Sequence, residues 1–527
     1  MKSINQYLQT LDFVVVGLYL VILIAIGFWV SFIKKKKEGE NLFLAGKSLG
    51  WKSIGLTMWG TNVGPSMLLL SAASGYTYGI AGANFSWYAF VFIMLLAMVF
   101  APYYNRTKVS TLPEFIGKRY NTTSREMLAW YSMVTILVSW LGLTLFAGGL
   151  LVSQIMGWPL WVAVSVLAGI SAFFAIAGGL EAIAITNSFQ MVLLIVVSFG
   201  LTIAGIVEVG GIAEVYHSIP SENWQLFLPR DHPEYPWLPI VLGYPVLGIW
   251  FWCTDQSMVQ SVLGAKNLKQ GQLGTNFTGW LKIIDMPLFI LPGILCFILF
   301  PELTAPEEAY ATMVTQLMPT GVIGLVMAVL IAALISTIDS ALNSLSTIFT
   351  LDIYVRRFKP KAKNKEVIRI GRIMVLVGSL LGVLFALLVA KIDGTDLFML
   401  FQSILGFLAP SLASVFLMGV LWKKASPLAA NVILSLGSAV SIGIGFFSIL
   451  NFPNADFWPH PLLLSFYIFI GFMITMVLIT KLFGNKYEGS QLPVLKETLG
   501  KVKNNKLVWG LWIVLTIVMI GLYLFFN

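Results

Sequence analysis

Long apolar stretches recur along the whole chain, separated by short polar connections. A helix of about 20 apolar residues is long enough to cross the hydrocarbon core of a bilayer. Fourteen such stretches are centred near residues 23, 63, 93, 140, 168, 197, 250, 289, 336, 379, 409, 438, 472 and 517. Strands of a transmembrane barrel would instead alternate over about 10 residues. The pattern therefore predicts an all-α polytopic membrane protein with fourteen transmembrane helices.

The placement of basic residues predicts the orientation of these helices. Of 33 Lys and Arg residues, 29 fall on one side of the predicted membrane, and Lys282 lies inside a span. The opposite side holds only Lys2, Arg230 and Lys391. The positive-inside rule makes the populous side cytoplasmic, so both termini are predicted to be extracytoplasmic. We read the formal charge of +9 as a topology signal, and expect no nucleic-acid partner.

Several functional classes find no support in the residues. All three histidines (217, 232 and 460) fall in predicted outward loops, and both cysteines (253 and 296) lie in apolar spans. An intramembrane enzyme would need a nucleophile, an acid–base pair or metal ligands, which the spans do not offer. No ring of charges indicates a channel. The chain is predicted to be a single transmembrane transporter domain over residues 1–527, located in a plasma or inner membrane.

The second apolar span contains helix-breaking residues at its centre, in "MWGTNVGPSM" (58–67). Gly64 and Pro65 stand where unpaired backbone groups are most expensive, because proline removes a backbone donor. Such a break is tolerated only where it is buried in protein or lines an aqueous cavity. The freed carbonyls are then available to bind an ion or a polar solute.

A second interruption is expected five spans later, in "VLGYPVLGIWFWCTDQ", at Gly243, Pro245 and Gly248. Segments five spans apart have opposite orientation, and paired interrupted spans are typical of inverted-repeat transporters with a midplane site. The alternative is that Gly and Pro are simply more frequent in membrane helices. The predicted division is two repeats, 52–208 and 237–422, with peripheral helices at 13–33 and 427–526.

The ninth span carries a polar face. Its hydroxyl and amide residues recur at helical spacing: Ser336, Thr337, Ser340, Asn343, Ser344 and Thr347. Asp339 lies among them, and a carboxylate near the bilayer centre is expected to face the interior and to have a partner. Oxygen ligands suit hard cations such as Na⁺. The alternatives are hydrogen bonding of the hydroxyls to their own helix and packing of small residues between helices.

Two further polar residues lie at membrane depth. Lys282 either binds a polar solute or forms an internal pair with Asp285, three residues later. Gln402 either binds solute hydroxyls or joins two helices through a hydrogen bond.

Along essentially its whole length the sequence resembles the sodium/solute symporter family, in particular its sodium–glucose/galactose cotransporter branch. The resemblance rests on "TLPEFIGKRY", "FAIAGGLEAIAITNSFQ", "FWCTDQSMVQSVLGAK", "LKIIDMPLFILPG" and "STIDSALNSLSTIFTLDIY". It implies a LeuT-like core of five plus five helices in inverted repeat and alternating access driven by a Na⁺ gradient. It implies no cofactor and no metal other than Na⁺ as the coupling ion, and a monomer sufficient for function.

The resemblance also implies sites, position by position. The sodium site would comprise Gly60, Val63, Ala333, Ser336 and Thr337. The solute site would comprise Asn62, Met67, Ser86, Gly248, Trp252, Lys282 and Gln402. Phe251 and Trp252 would form an inner aromatic gate, and Phe398 an outer gate.

Departures from the family pattern bear on the solute and the ions. Met67, Ser86 and Gly248 replace polar sugar contacts, which weakens a simple hexose assignment. Asn187 stands where some relatives have an Asp, while Asp339 stands where they have a hydroxyl. We hypothesise a second cation site at Asp339, Ser340 and Asn187, with the charge moved across the pocket.

The sequence thus predicts a Na⁺-coupled symporter that imports a small polar solute, most simply a sugar or a sugar-like compound. The alternatives are a Na⁺ symporter for sialic acid, a polyol, an amino acid or another carboxylate, and a proton-coupled symporter acting through Asp339.

Overall fold

The computed structural model describes residues 8–29, 43–303, 305–391, 397–483, 492 and 505–527, and these residues are almost entirely helical. The α-helices are α1 Thr10–Phe28, α2 Trp51–Asn62, α3 Pro65–Tyr78, α4 Ala83–Trp87, α5 Ala89–Leu95, α6 Ala101–Thr107, α7 Leu112–Arg119, α8 Thr122–Thr135, α9 Thr144–Met156, α10 Leu160–Val209, α11 Ile212–His217, α12 Trp237–Gly248, α13 Gln256–Leu263, α14 Leu268–Asp285, α15 Leu291–Leu299, α16 Ala309–Leu317, α17 Val322–Ile348, α18 Asn364–Val389, α19 Leu397–Leu421, α20 Pro427–Val432, α21 Ser438–Ile449, α22 Pro461–Phe483 and α23 Lys506–Phe525.

Short segments of wider helix connect several of these elements. Within the described ranges, six π-helical stretches continue a preceding α-helix, at Leu96–Phe100, Ile136–Leu143, Ile249–Thr254, Met286–Ile290, Phe349–Phe358 and Ile433–Gly437. Helix α10 is divided at Gly179, whose φ of +58° is a left-handed conformation that glycine adopts at little cost. The two parts, 160–177 and 179–209, correspond to two of the predicted spans.

Twelve helices in the described residues are long and apolar enough to cross a membrane. The all-helical membrane class is therefore confirmed, but the count of fourteen is not. The two remaining predicted segments are the interrupted pair α2–α3 and helix α19, whose described apolar part is only Leu405–Leu421.

The predicted break in the second span is confirmed. Helix α2 ends at Asn62, Val63 has φ −83° and ψ 81°, and Gly64 is extended at φ −91° and ψ 164°. Pro65 then occupies the first turn of α3, where its missing N–H removes no helical hydrogen bond.

The predicted interruption at Gly243, Pro245 and Gly248 is wrong. Helix α12 runs through all three residues, and the chain becomes extended only at Asp255, with φ −85° and ψ 130°. Pro245 leaves the Val241 carbonyl without its helical donor, and the Tyr88 hydroxyl lies 3.4 Å from that oxygen as a replacement donor. The two glycines instead permit close packing against a neighbouring backbone and an aromatic ring.

Helix α17 lies at the centre of the protein. In its most apolar stretch of membrane-spanning length, 89% of the residues are buried inside the protein, whereas the corresponding shares are 28% for α1 and 22% for α23. It packs along α10 and also contacts α2 and α1, while α2 packs along α14. The helices α2, α10, α14 and α17 therefore form a packed core, and the predicted cation ligands on α2 and α17 lie within it.

Candidate solute and cation site

The break between α2 and α3 frees backbone carbonyls beside α17. The Gly64 amide, which would serve the Gly60 carbonyl in a regular helix, donates instead to the Asn62 carbonyl at 3.0 Å. Pro65 has no N–H to give to the Thr61 carbonyl, and this oxygen is approached by the Thr337 hydroxyl at 3.4 Å. Two carbonyls at the break are thus released from their helical donors.

The break and the hydroxyl face of α17 are in direct contact. A methyl group added to Gly60 would lie 3.3 Å from Ser336 Oγ, and one added to Gly64 would lie 3.7 Å from Thr337 Oγ1. Ser336 is fully buried, and its hydroxyl has no hydrogen-bond partner in the part of the chain that the structure describes. A buried hydroxyl without a partner costs free energy. The arrangement is suited to a ligand that supplies the missing interaction.

The lower part of the polar face has a different role. Ser344 and Thr347 bond to the Gln260 side chain of α13 at 2.9 and 2.8 Å. Ser340 donates to its own helix at the Ser336 carbonyl (2.8 Å) and meets the Thr61 hydroxyl at 3.1 Å. Intrahelical bonding and interhelical contact, the alternatives left open above, therefore account for these three residues.

A cavity of about 210 Å³ adjoins the break. Its lining includes predicted solute residues together with the inner aromatic gate: Asn62, Met67, Ser86, Gly248, Phe251, Trp252 and Lys282. Thr337 also lines it, so the cavity touches the candidate cation ligands. The side chains of Phe398 and Gln402 lie outside the described residues, and their predicted roles stay predictions.

Lys282 is held in a charge-neutral network at the cavity wall. Its ammonium donates to Asp285 as an internal ion pair and to the Asn62 side-chain oxygen at 2.8 Å. The second carboxylate oxygen of Asp285 accepts from the Trp59 indole at 2.8 Å. The ammonium also lies 5.8 Å from the centre of the Trp252 ring. The internal pair is therefore the arrangement that the structure adopts.

Aromatic residues that the sequence did not single out complete the cavity. Trp140 packs on Phe251 with ring centres 5.3 Å apart, and its indole lies 3.3 Å from Asp255. Asp255 also caps α13 through the amides of Ser257 and Met258. The Asp255 carboxylate, at the extended residue before α13, therefore helps to position the Trp140 ring in the cavity wall. A tryptophan among apolar residues gave no signal in the sequence, because membrane helices contain many.

Two tyrosines, Tyr235 and Tyr244, also line the cavity. Tyr244 donates to the Phe85 carbonyl at 2.6 Å. Tyr235 belongs to the polar loop that precedes α12. Burial raises the pKa of Tyr235 to about 12, so its phenol remains a neutral hydrogen-bond donor even at alkaline pH.

Three further polar side chains are buried, two of them on α10 and one on α17. Asp339, Asn187 and Gln190 are fully buried, and none of their side-chain oxygens or nitrogens has a hydrogen-bond partner among the described residues. Ser340, the next residue on α17, is close enough to stabilise the Asp339 carboxylate, but no other segment supplies a partner among the described residues, and the predicted partner stays a prediction. Gln190 was missed, although it lies three positions after Asn187 and so on the same helical face. Such a group is rare in native interiors and indicates bound water or an ion.

Among the described residues no cluster of His, Cys, Asp and Glu could hold a metal. Cys253 and Cys296 are buried and not paired with each other.

This fold, with a break beside a buried hydroxyl face, defines a polytopic membrane transporter, and comparison with known proteins gives the family. The model of the sodium:solute symporter family matches residues 42–432, and the chain belongs to that family. The prediction of a sodium-coupled transporter rather than an enzyme is thereby confirmed, with Na⁺ as the coupling ion that the family implies.

Two curated relatives illustrate the similarity. The chain is 31% identical to the sodium/glucose cotransporter 1 of Ovis aries over 482 residues, which cover 84% of this chain and 72% of the relative. It is also 31% identical to the sodium/myo-inositol cotransporter of Bos taurus over 462 residues, covering 79% of this chain and 64% of the relative. The chain therefore spans about two thirds of the inositol relative's length.

Solved structures show the same fold. A Na⁺-coupled sialic acid symporter in a substrate-bound outward-open state has a TM-score of 0.76 at 19% identity, over 92% of this chain and all of that chain. Mhp1, a transporter of the nucleobase-cation-symport-1 family, has a TM-score of 0.57 at 12% identity, over 85% and 94% of the two chains. These neighbours are LeuT-fold transporters, so the predicted fold class is confirmed.

Proposed function

We propose that this chain imports a small, uncharged, polyhydroxylated solute, a sugar or a cyclic polyol, together with Na⁺. The observation that carries the proposal is the single cavity that joins the break at Asn62, the neutralised Lys282 and the hydroxyl of Thr337. The solute and the Na⁺ ion would then both bind beside the break between α2 and α3.

The proposed cation site comprises the Gly60, Val63 and Ala333 carbonyls with the Ser336 and Thr337 hydroxyls. Support comes from the Gly60 carbonyl, which the break releases from its helical donor, and from the Ser336 hydroxyl, which lacks a partner among the described residues. The Thr337 hydroxyl lies 3.2 Å from the Ala333 carbonyl, so these two proposed ligands are adjacent. Carbonyl and hydroxyl oxygens without a formal charge suit a monovalent hard cation, because a divalent ion would need carboxylates. Na⁺ bound here would hold α2 and α17 together.

The charge of the cavity wall supports an uncharged solute. Lys282 is already paired with Asp285, so an anionic solute would have to compete for it and leave a buried carboxylate unpaired. The wall offers hydroxyls of Ser71, Ser74, Ser86, Thr144 and Tyr244 beside aromatic rings. The two curated relatives are named for glucose and myo-inositol, which are uncharged and polyhydroxylated.

Coupling would follow from the shared helix. Each ligand binds better once the other has ordered the segment around Val63, and this free energy is reciprocal. Alternating access would move the two repeats, 52–208 and 237–422, around this point. Tyr235, which lines the cavity, belongs to a loop that the positive-inside rule predicts to be extracytoplasmic, so this end of the cavity would face outward.

The second cation site, at Asp339, Ser340 and Asn187, is proposed with Gln190 as an additional group. Its support is that the side chains of Asp339, Asn187 and Gln190 are buried without partners among the described residues. The Ser340 hydroxyl bonds to the Ser336 carbonyl and to Thr61, so it would have to exchange one of these bonds for the ion. Proton coupling through Asp339 is the competing assignment, because a protonated carboxyl would also lower the cost of burial.

Uptake into proteoliposomes tests the proposal. Purified protein is supplied with labelled glucose, myo-inositol, sialic acid and an amino acid, each with an inward gradient of Na⁺ or of K⁺. We expect concentrative uptake of an uncharged polyol or sugar in Na⁺ only. Uptake of sialic acid alone, or equal uptake in K⁺, would contradict the solute or the ion assignment respectively.

The same vesicles separate sodium from proton coupling at the second site. Asp339→Asn is expected to reduce the number of Na⁺ ions moved per solute, measured from the reversal potential. If Asp339→Asn leaves that number unchanged but abolishes stimulation by an inward proton gradient, the proton assignment replaces the second sodium site.

A further inference from the structure

Helix α1 lies before the segment that matches the family, residues 42–432, yet it is tied to the central helix. Its Asp12 is fully buried, and one carboxylate oxygen accepts the amides of Gly321 and Gly324, both at 2.7 Å. The other oxygen accepts the Gln9 amide at 2.9 Å. Asp12 thus caps the first turn of α17 from a different helix.

The backbones of α1 and α17 touch at this point. A methyl group on Gly324 would lie 2.5 Å from the Asp12 carbonyl oxygen, which is closer than real contacts allow. Gly321 has φ +89°, a conformation that glycine adopts at little cost, and so turns the chain into the helix. The carboxylate also complements the partial positive charge of the helix N-terminus. The contact therefore fixes the position of α17 along its axis.

Helix α1 also packs against α10. Tyr19 stacks on Phe189 with ring centres 6.2 Å apart. Gly27 faces Phe174, whose ring lies 2.4 Å from where a methyl group on the glycine would be. In the sequence of α10, Phe189 stands between Asn187 and Gln190. The side chains of these two polar residues are buried and have no hydrogen-bond partner among the described residues. Helix α1 is therefore in contact with both helices that carry the proposed second cation site.

We propose that α1 acts as a brace across α10 and α17, and that Asp12 is a positioning residue for cation binding. Gly324 is nine residues before Ala333, roughly 14 Å along a helix at 1.5 Å per residue. Because α17 is packed on all sides, a shift of its first turn is passed to Ala333, Ser336 and Thr337. The inference rests on the proposed cation sites and goes beyond them, since α1 supplies no ligand.

Three substitutions at Asp12 test the brace through the dependence of uptake on Na⁺. Asp12→Asn keeps an oxygen that can accept the Gly321 and Gly324 amides and loses only the acceptor for the Gln9 amide within α1. Asp12→Glu moves the carboxylate by one methylene, and Asp12→Ala removes it. We expect a Na⁺ half-saturation within twofold of wild type for Asn, raised about threefold or more for Glu, and raised further for Ala. Half-saturation for the solute at saturating Na⁺ is expected to stay within twofold.

Asn505→Ala is the control, because it removes a side-chain cap from the peripheral helix α23. It is expected to leave the Na⁺ half-saturation unchanged. If Asp12→Ala does not fold, Asp12→Glu still decides the matter. An unchanged Na⁺ half-saturation in Asp12→Glu, with wild-type uptake clearly sodium-dependent, overturns the brace while leaving the proposed function intact. Absence of sodium-dependent uptake in the wild type would instead contradict the proposed function.

Discussion

Replacement of Ser336 by alanine should separate the stability of the ion-free protein from its affinity for sodium. The Ser336 hydroxyl is fully buried and has no partner among the described residues. Leaving such a group unpaired costs about 1–3 kcal/mol, so its removal should not destabilise the ion-free protein. The same change should remove one oxygen ligand from the bound ion.

The size of the sodium effect follows from the charge of the ligand. A hydrogen-bonding group that contacts a charge contributes roughly 1.5–3 kcal/mol, and every 1.4 kcal/mol is a factor of about ten in affinity. We therefore expect Ser336→Ala to raise the Na⁺ half-saturation of uptake roughly 10- to 150-fold. Uptake is measured at varied external Na⁺ with choline replacement, and thermal unfolding in detergent is measured with and without Na⁺.

Ser346→Ala is the matched control on the same helix. Ser346 is equally buried, but its hydroxyl donates to the Gly371 carbonyl of α18 at 2.8 Å. Its removal should lower ion-free stability by about 1 kcal/mol and leave the sodium dependence unchanged. A folded Ser336→Ala protein with the sodium dependence of wild type would refute the reasoning, as would equal sodium shifts in both variants.

Three other substitutions probe side-chain packing beside the cation site, a buried ion pair and a close contact between two helices. Gly60→Ala places a methyl group 2.7 Å from Met191 Cγ. Overpacking of this kind costs about 1–3 kcal/mol and should raise the Na⁺ half-saturation of uptake roughly tenfold. Adding Met191→Ala should restore the wild-type half-saturation, and failure of that rescue would contradict the steric cause. Arg125→Leu leaves Asp352 buried without its ion-pair partner and should lower the free energy of unfolding by about 3–5 kcal/mol, seen as a lower melting temperature. The double variant with Asp352→Asn removes the unpaired charge and should recover most of that loss in melting temperature. Gly293→Ala would put a methyl group 1.9 Å from a backbone carbonyl of α3, so no monodisperse protein is expected on size exclusion, and normal folding would show that these helices can separate.

The features that the sequence could predict are those determined by local chemistry. Pro65 cannot continue α2 as a regular helix, so the break was visible from a few residues. Lys282 and Asp285 are three positions apart and therefore on one helical face, so their pairing was one of two expected outcomes. The recurrence of apolar stretches predicted the membrane class in the same way.

The features that the sequence could not predict depend on contacts between distant segments. Pro245 is accommodated because Tyr88, 153 residues before Val241, reaches the carbonyl that the proline leaves without a donor. The role of Trp140 depends on Asp255, 115 residues away. Gln190 became notable only through its burial without a partner in the described structure. Neither the periodicity of apolar residues nor the amino-acid composition predicts contacts between such distant segments.

Equilibrium binding of ²²Na⁺ to the purified protein tests the central claim most directly, because it requires neither the solute nor a membrane. The account predicts saturable binding that unlabelled Na⁺ displaces and K⁺ does not, weakened in Ser336→Ala and unchanged in Ser346→Ala. Saturable binding of equal affinity in wild type and in a folded variant lacking both the Ser336 and Thr337 hydroxyls would contradict it.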